Sequence, residues 1–204
     1  TRNNSMIKDK FELFYPVKPW KVNQSFGACD PGICGKYKEL GLNGHNGIDA
    51  WAPDGYIVRA AHDGIVTFAG EDGSGGLGIV IRTEDEYMYN GLPVYFKTIY
   101  WHLKAGSIIV NAGRRVSAGD IIARADNTGL STGSHLHFGM KPMTQGEQDW
   151  EWWNTDQNNG YKGAIDPAPF FNKFYAEDKE SVISMYTLAI KLLTALLDQL
   201  QKRK

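Results

Sequence analysis

Several things are scarce in this 204-residue chain, and each scarcity narrows what it can do. No block of lysine and arginine is dense enough to neutralise a run of phosphates, and the formal net charge is -1. Nucleic acid is therefore not an expected partner, nor is attraction to an anionic surface a main feature. A His-Glu-x-x-His helix is absent, which removes the glutamate base of that class of zinc enzyme. Long apolar runs are missing too: Lys191 interrupts the most apolar segment, and its uninterrupted parts are too short to span a bilayer. The chain starts at Thr1 without a charged segment leading into an apolar one, so it reads as a processed form or an excised piece. Cysteine is limited to Cys29 and Cys34, which flank a Pro31-Gly32 turn signal. A disulfide is the expected state outside the cytosol, its small loop contributing roughly 2 kcal/mol. A two-cysteine zinc site would need further ligands, and the neighbouring sequence offers none.

What is present suits a turn-rich β protein. Twenty-three glycines separate short apolar segments, with 42% hydrophobic and 12% aromatic residues. Residues 1–13 are polar and without periodicity, and read as a tail or linker. The glycine- and proline-containing cysteine loop excludes regular structure up to Gly44. Strands are predicted over 56–60, 64–70, 78–82 and 94–101, with a polar loop over 84–90, and a turn-strand pattern follows over 110–123. Trp150, Trp152 and Trp153 would form either a substrate-gripping rim or a packed cover for a sheet edge. Residues 14–175 read as one mainly β domain. Residues 176–204 differ in kind: Val182, Tyr186, Ala189, Leu193, Leu196 and Leu200 recur at helical spacing. That amphipathic C-terminal helix must cover its apolar stripe. A partner or second copy is favoured over its own domain, because the β domain is complete by Phe171.

The histidines carry the chemistry. His135-Leu136-His137-Phe138 alternates imidazole and apolar side chains, so a strand would present His135 and His137 on one face and bury Leu136 and Phe138 on the other. Upstream lies His45-Asn46-Gly47-Ile48-Asp49. Zinc in a catalytic site takes three protein ligands from His nitrogen and carboxylate oxygen, leaving a position open, and His45, Asp49 and His137 satisfy that rule. His102 and His135 are then the candidates for moving a proton and stabilising an oxyanion. His62, in a turn, reads as a surface residue outside this set.

Several motifs in order carry a resemblance. They are Ser25-Phe26-Gly27, His45-x-x-x-Asp49, Asp63-Gly64-Ile65-Val66, Tyr100-Trp101-His102-Leu103, Val110-x-x-Gly113-x-x-Val116-x-x-Gly119-Asp120-Ile121, the Asn127–Phe138 run, and Ile165-Asp166-Pro167. Over residues 22–171 the chain resembles the lysostaphin-type (LytM-like) zinc metallopeptidases of bacterial cell walls. The resemblance implies an antiparallel β fold with a narrow groove over one Zn2+ ion, held by His45, Asp49 and His137. It implies that His102 and His135 are catalytic without binding metal, and that the substrate is a peptidoglycan peptide met outside the cytoplasm. Gly139 stands where many members have Glu, and Ala28 with the cysteine loop replaces a common Arg, so the groove should have its own shape. Two other readings are weaker. A non-catalytic regulator of this family would lack zinc ligands. A lipoyl or biotinyl carrier, which shares the hairpin over 113–120, leaves the four histidines unexplained.

Overall fold

The computed structural model describes residues 7–146 and 152–173. In chain order the elements are β1 (Leu13–Phe14), β2 (Val22–Gln24), α1 (Cys34–Glu39), β3 (Ile48–Trp51), β4 (Ile57–Arg59), β5 (Gly64–Asp72), β6 (Gly76–Arg82) and β7 (Tyr87–Tyr89). They continue with β8 (Leu92–Trp101), β9 (Arg115–Val116), β10 (Ile121–Arg124), β11 (His135–Gln145), β12 (Trp152–Asn154) and β13 (Phe171–Lys173). The expected C-terminal helix over 176–204 lies outside the described residues, as does Trp150.

The main sheet runs β2-β3-β11-β8-β6-β5-β9, with β12 added to β11 and β7 to β8. Every one of these pairings is antiparallel. Burial follows the two-residue period of a strand. On β8, Val94, Phe96, Thr98 and Tyr100 are buried, whereas Tyr95, Lys97, Ile99 and Trp101 stand half-buried on the other face. The buried face joins Ile79, Ile81, Leu136, Phe138 and Met140 in one apolar cluster with Val58, Leu103 and Ile122. Within it Tyr100 meets Phe138 edge-on at 5.2 Å and Phe11 stacks on Phe96 at 4.5 Å. The opposite face is left for the site.

Four readings of the sequence need correction. Residues 8–13 are not a polar tail: Phe11 and Leu13 are buried in the core, and β1 pairs with β13. Two large apolar side chains suffice to dock a segment whose average composition is polar. The loop after Pro31-Gly32 contains a short helix, α1, because that turn precedes the helix instead of interrupting it; the Cys29–Cys34 disulfide closes just at its start. The polar stretch 84–90 includes β7, turned back on β8 by Asn90-Gly91, both left-handed at φ 49° and 79°. Asn-Gly is the residue pair that such a two-residue hairpin turn demands. Finally, His62 is buried, donating from Nδ1 to the Asp63 carbonyl (2.8 Å) and accepting at Nε2 from the Thr98 hydroxyl (2.9 Å). Burial pushes its imidazole down to about 4, so it is held neutral.

Candidate metal centre

Two neighbouring strands assemble the centre. His137 on β11 is the register partner of Asp49 on β3, while Leu136 and Phe138 point into the core. His45 arrives from the loop before β3. Its backbone is clamped at both sides, by Gly27 N–H to the His45 carbonyl (2.7 Å) and His45 N–H to the Ala28 carbonyl (2.9 Å). Its ring Nδ1–H donates to the Ser25 carbonyl (3.2 Å), which turns Nε2 toward the other two groups.

The three donor atoms form a nearly equilateral triangle. His45 Nε2 lies 2.9 Å from His137 Nδ1 and 3.1 Å from Asp49 Oδ1, and His137 Nδ1 lies 3.0 Å from the same oxygen. Donors on a tetrahedral zinc ion at 2.0–2.1 Å stand about 3.3–3.4 Å apart, so this triangle is close to one face of that tetrahedron. Two imidazoles and one carboxylate are also the donor types zinc prefers. The residues present therefore fit the ion. Both histidines are buried and the Asp49 side chain is only 16% exposed.

His135 and His102 flank this triangle. His135 Nδ1–H donates to the Gly133 carbonyl (2.7 Å) with the Ser131 hydroxyl nearby, and its Nε2 faces Asp49 Oδ2 at 3.4 Å. His102 directly follows β8 in a left-handed conformation, φ 64°, which is uncommon for a residue with a side chain. Its Nδ1–H donates to the Thr128 carbonyl (2.7 Å), and its ring centre lies 4.7 Å from that of His135 and 6.1 Å from that of His137. In both cases a backbone carbonyl takes Nδ1–H, and Nε2 of His135 is the ring nitrogen that faces Asp49. Burial alone would raise the Asp49 carboxyl, but hydrogen bonds from His135, His137 and His45 outweigh it and hold the group well below the usual carboxylate range. Burial lowers His137, and brings His102 down to about 4. Burial would lower His135 as well, yet the Asp49 carboxylate holds it above its ordinary value.

All five predicted site residues thus meet in one place, at the bottom of a groove of about 730 Å³. One wall is the inner face of α1, with Ile33, Lys36, Tyr37 and Leu40 at helical spacing; the other includes Ser74, Gly75 and residues 130–134. Trp101 lies along the floor against Gly78, where a Cβ would come within 1.4 Å of the indole. The expected surface position of His62 keeps it outside the site, and its buried position does so equally.

Sequence reasoning did not single out the supports. Tyr37 is one, its ring stacked 5.7 Å from His45 and its hydroxyl donating to Gln24 (2.6 Å). Thr128 is another: its hydroxyl donates to the Leu103 carbonyl (2.8 Å) and accepts from Leu77 N–H (3.1 Å), fixing the carbonyl that orients His102. Backbone carbonyls carry no residue identity, so no sequence signal marks them. Of the tryptophans, Trp153 is 59% exposed and does not line the groove, while its strand β12 does add to β11.

With this geometry in hand, similarity to known proteins is informative. The profile described as Peptidase family M23 matches residues 43–149, which contain all five groups. The chain is 42% identical over 94 residues to the DD-carboxypeptidase/endopeptidase Mpg of Neisseria meningitidis serogroup B, covering 46% of this chain and 19% of that protein. It is 34% identical over 133 residues to the glycyl-glycine endopeptidase ALE-1 of Staphylococcus capitis, covering 64% and 30%. The matched stretches thus span less than a third of these relatives. Among solved structures, the catalytic domain of lysostaphin from Staphylococcus simulans superposes with a TM-score of 0.54 at 28% identity, covering 74% of this chain and 91% of that one.

Proposed function

Because the chain belongs to peptidase family M23, we infer that it is a zinc-dependent metalloendopeptidase hydrolysing peptide bonds of bacterial peptidoglycan, in a cross-bridge or a stem peptide. The observation that carries this reading is the His45–Asp49–His137 triangle with two further imidazoles beside it, at the floor of a groove. Relatives named as a glycyl-glycine endopeptidase and a peptidoglycan DD-endopeptidase support the substrate class.

Zinc held by His45, Asp49 and His137 would supply a Lewis acid that polarises the scissile carbonyl and makes water a nucleophile near neutral pH. The chain's own residues do the rest. Asp49 contributes Oδ1 to the ligand set, and Oδ2 orients His135. His102 and His135, each oriented by a backbone carbonyl, take the attacking water's proton and stabilise the developing oxyanion or protonate the leaving amine. The α1 wall and Trp101 hold the peptide in an extended path and limit water around it. The metallopeptidase domain in this reading takes in the docked residues 8–13 together with 14–175, with 176–204 an amphipathic association element. Work on peptidoglycan lies outside the cytoplasm, where the Cys29–Cys34 disulfide is stable. No helix among the described residues is long and apolar enough to cross a membrane.

The test pairs metal content with release of new amines from purified cell walls. His137→Ala is expected to lose zinc and activity together, and His102→Ala to keep one zinc per chain and lose activity. Equal zinc loss in both variants would refute the separation of ligand and catalytic roles.

A further inference from the structure

Two lysines, Lys36 and Lys162, line the groove, and two more, Lys141 and Lys97, adjoin Lys162. Lys97 on β8 and Lys141 on β11 are register partners on the half-buried sheet face, the face that carries His137 four residues before Lys141. Lys141 Nζ donates to the Lys162 carbonyl (2.7 Å), and Lys162 itself lines the groove. Lys36 lines it from α1. Among the described residues, no ion pair joins any of these four to an Asp or Glu.

Two further facts argue that the arrangement is held for a ligand. Lys162 adopts a left-handed conformation, φ 53°, where glycine would be at ease and a side chain costs of order 1 kcal/mol or more. Neighbouring Lys97 and Lys141 are each partly withdrawn from water. Burial lowers both amines, and for Lys141 the nearby Lys97 and Lys162 add to it, bringing the group down to about 8. A cluster of like charge in that setting lacks a counter-ion, which a bound anion would supply with charge-assisted hydrogen bonds.

We propose that Lys162, backed by Lys141 and Lys97 and faced by Lys36, forms a subsite for a carboxylate borne by the substrate peptide. The proposal rests on the peptidase reading and deepens it. Strand rise places Lys141 about 13 Å along β11 from His137, the reach of three to four extended residues. The carboxylate therefore belongs to a residue a few positions from the scissile bond, as in a stem peptide.

The experiment measures binding, so it stands apart from turnover. Zinc-loaded protein is titrated calorimetrically with two peptidoglycan tetrapeptides that differ only at glutamate, whose α-carboxyl is free in one and a carboxamide in the other. The free carboxylate is expected to bind about tenfold tighter or more. Lys141→Gln and the exposed-site variant Lys162→Gln should each bring it down toward the affinity of the carboxamide, with zinc content unchanged. Equal affinity of the two peptides for the wild-type protein, or a preference that survives both substitutions, would overturn the subsite. A lysine-dependent preference without cleavage of either peptide would leave the subsite standing and count against the proposed reaction instead.

Discussion

Two glycines, one just before β3 and one on the neighbouring β11, should behave in opposite ways when given the same substitution. Gly47 precedes β3, and a Cβ there would stand 2.7 Å from both Cε1 and Nε2 of His137 and 2.7 Å from the Phe138 carbonyl oxygen. Ordinary contacts begin near 3.4 Å, so Gly47→Ala requires a displacement of about 0.7 Å. The Phe138 oxygen belongs to backbone paired with β3, so the His137 ring is the side that yields. Ligand bonds to zinc tolerate only about 0.2 Å, and displacing a ligand's support typically weakens metal binding by about 10–100-fold. Overpacking adds a stability loss of about 1–3 kcal/mol. Gly139→Ala is the control, since its Cβ would meet Ile99 at 3.4 Å and Asn46 at 3.7 Å, both ordinary contacts. Competition with a chelator of known affinity reads the zinc dissociation constant, and denaturant unfolding of the metal-stripped proteins reads stability. Gly47→Ala should lose at least tenfold in zinc affinity and Gly139→Ala less than about twofold. Matching affinities in the two variants would refute the claim that His137 is held at the metal by close packing against Gly47.

Three other outcomes follow from the same geometry. Thr128→Val removes the hydroxyl that joins Leu77 N–H to the Leu103 carbonyl; it should cost about 1–2 kcal/mol in unfolding free energy and lower kcat with zinc retained. Unchanged kcat would show that His102 does not depend on that anchor. His62 is held near 4 by burial, below the ordinary 6.5, so the unfolded chain takes up its proton first as pH falls. The stabilisation is complete above about pH 6.5 and should fall by about 3 kcal/mol on acidification toward pH 4; His62→Gln should flatten that part of the profile, and an identical slope in the variant would count against it. Replacing Cys29 and Cys34 together by Ser should reduce stability by about 2 kcal/mol, the chain-entropy value for so short a loop, leaving zinc content at one per chain; loss of zinc would mean that the loop holds His45 in place.

How much of this was legible beforehand depends on how local the cause is. The alternation His135-Leu136-His137-Phe138 is a two-residue period, and a period names the faces of a strand without any tertiary information. Hence the pairing of imidazoles on one side and core residues on the other could be read directly, as could the long strand ending at His102. The Asn90-Gly91 turn was equally local, and it was the acidic run before it that hid β7. The polar average of residues 1–13 concealed Phe11 and Leu13 in the same way.

By itself the chain determined which side chains could bind a metal, which could move a proton, and that a turn-rich set of β-strands would carry them, because donor chemistry and strand period are properties of residues and their neighbours. Tertiary structure alone decided the rest. Asp49 meets His137 across 88 residues of sequence, and that encounter depends on strand register. His102, His135 and His45 are aimed by the carbonyls of Thr128, Gly133 and Ser25, groups that every residue possesses and no sequence pattern distinguishes. His62 became a core residue, and Lys97, Lys141 and Lys162 became one cluster, because burial and proximity between distant segments are set only when the sheet closes over them.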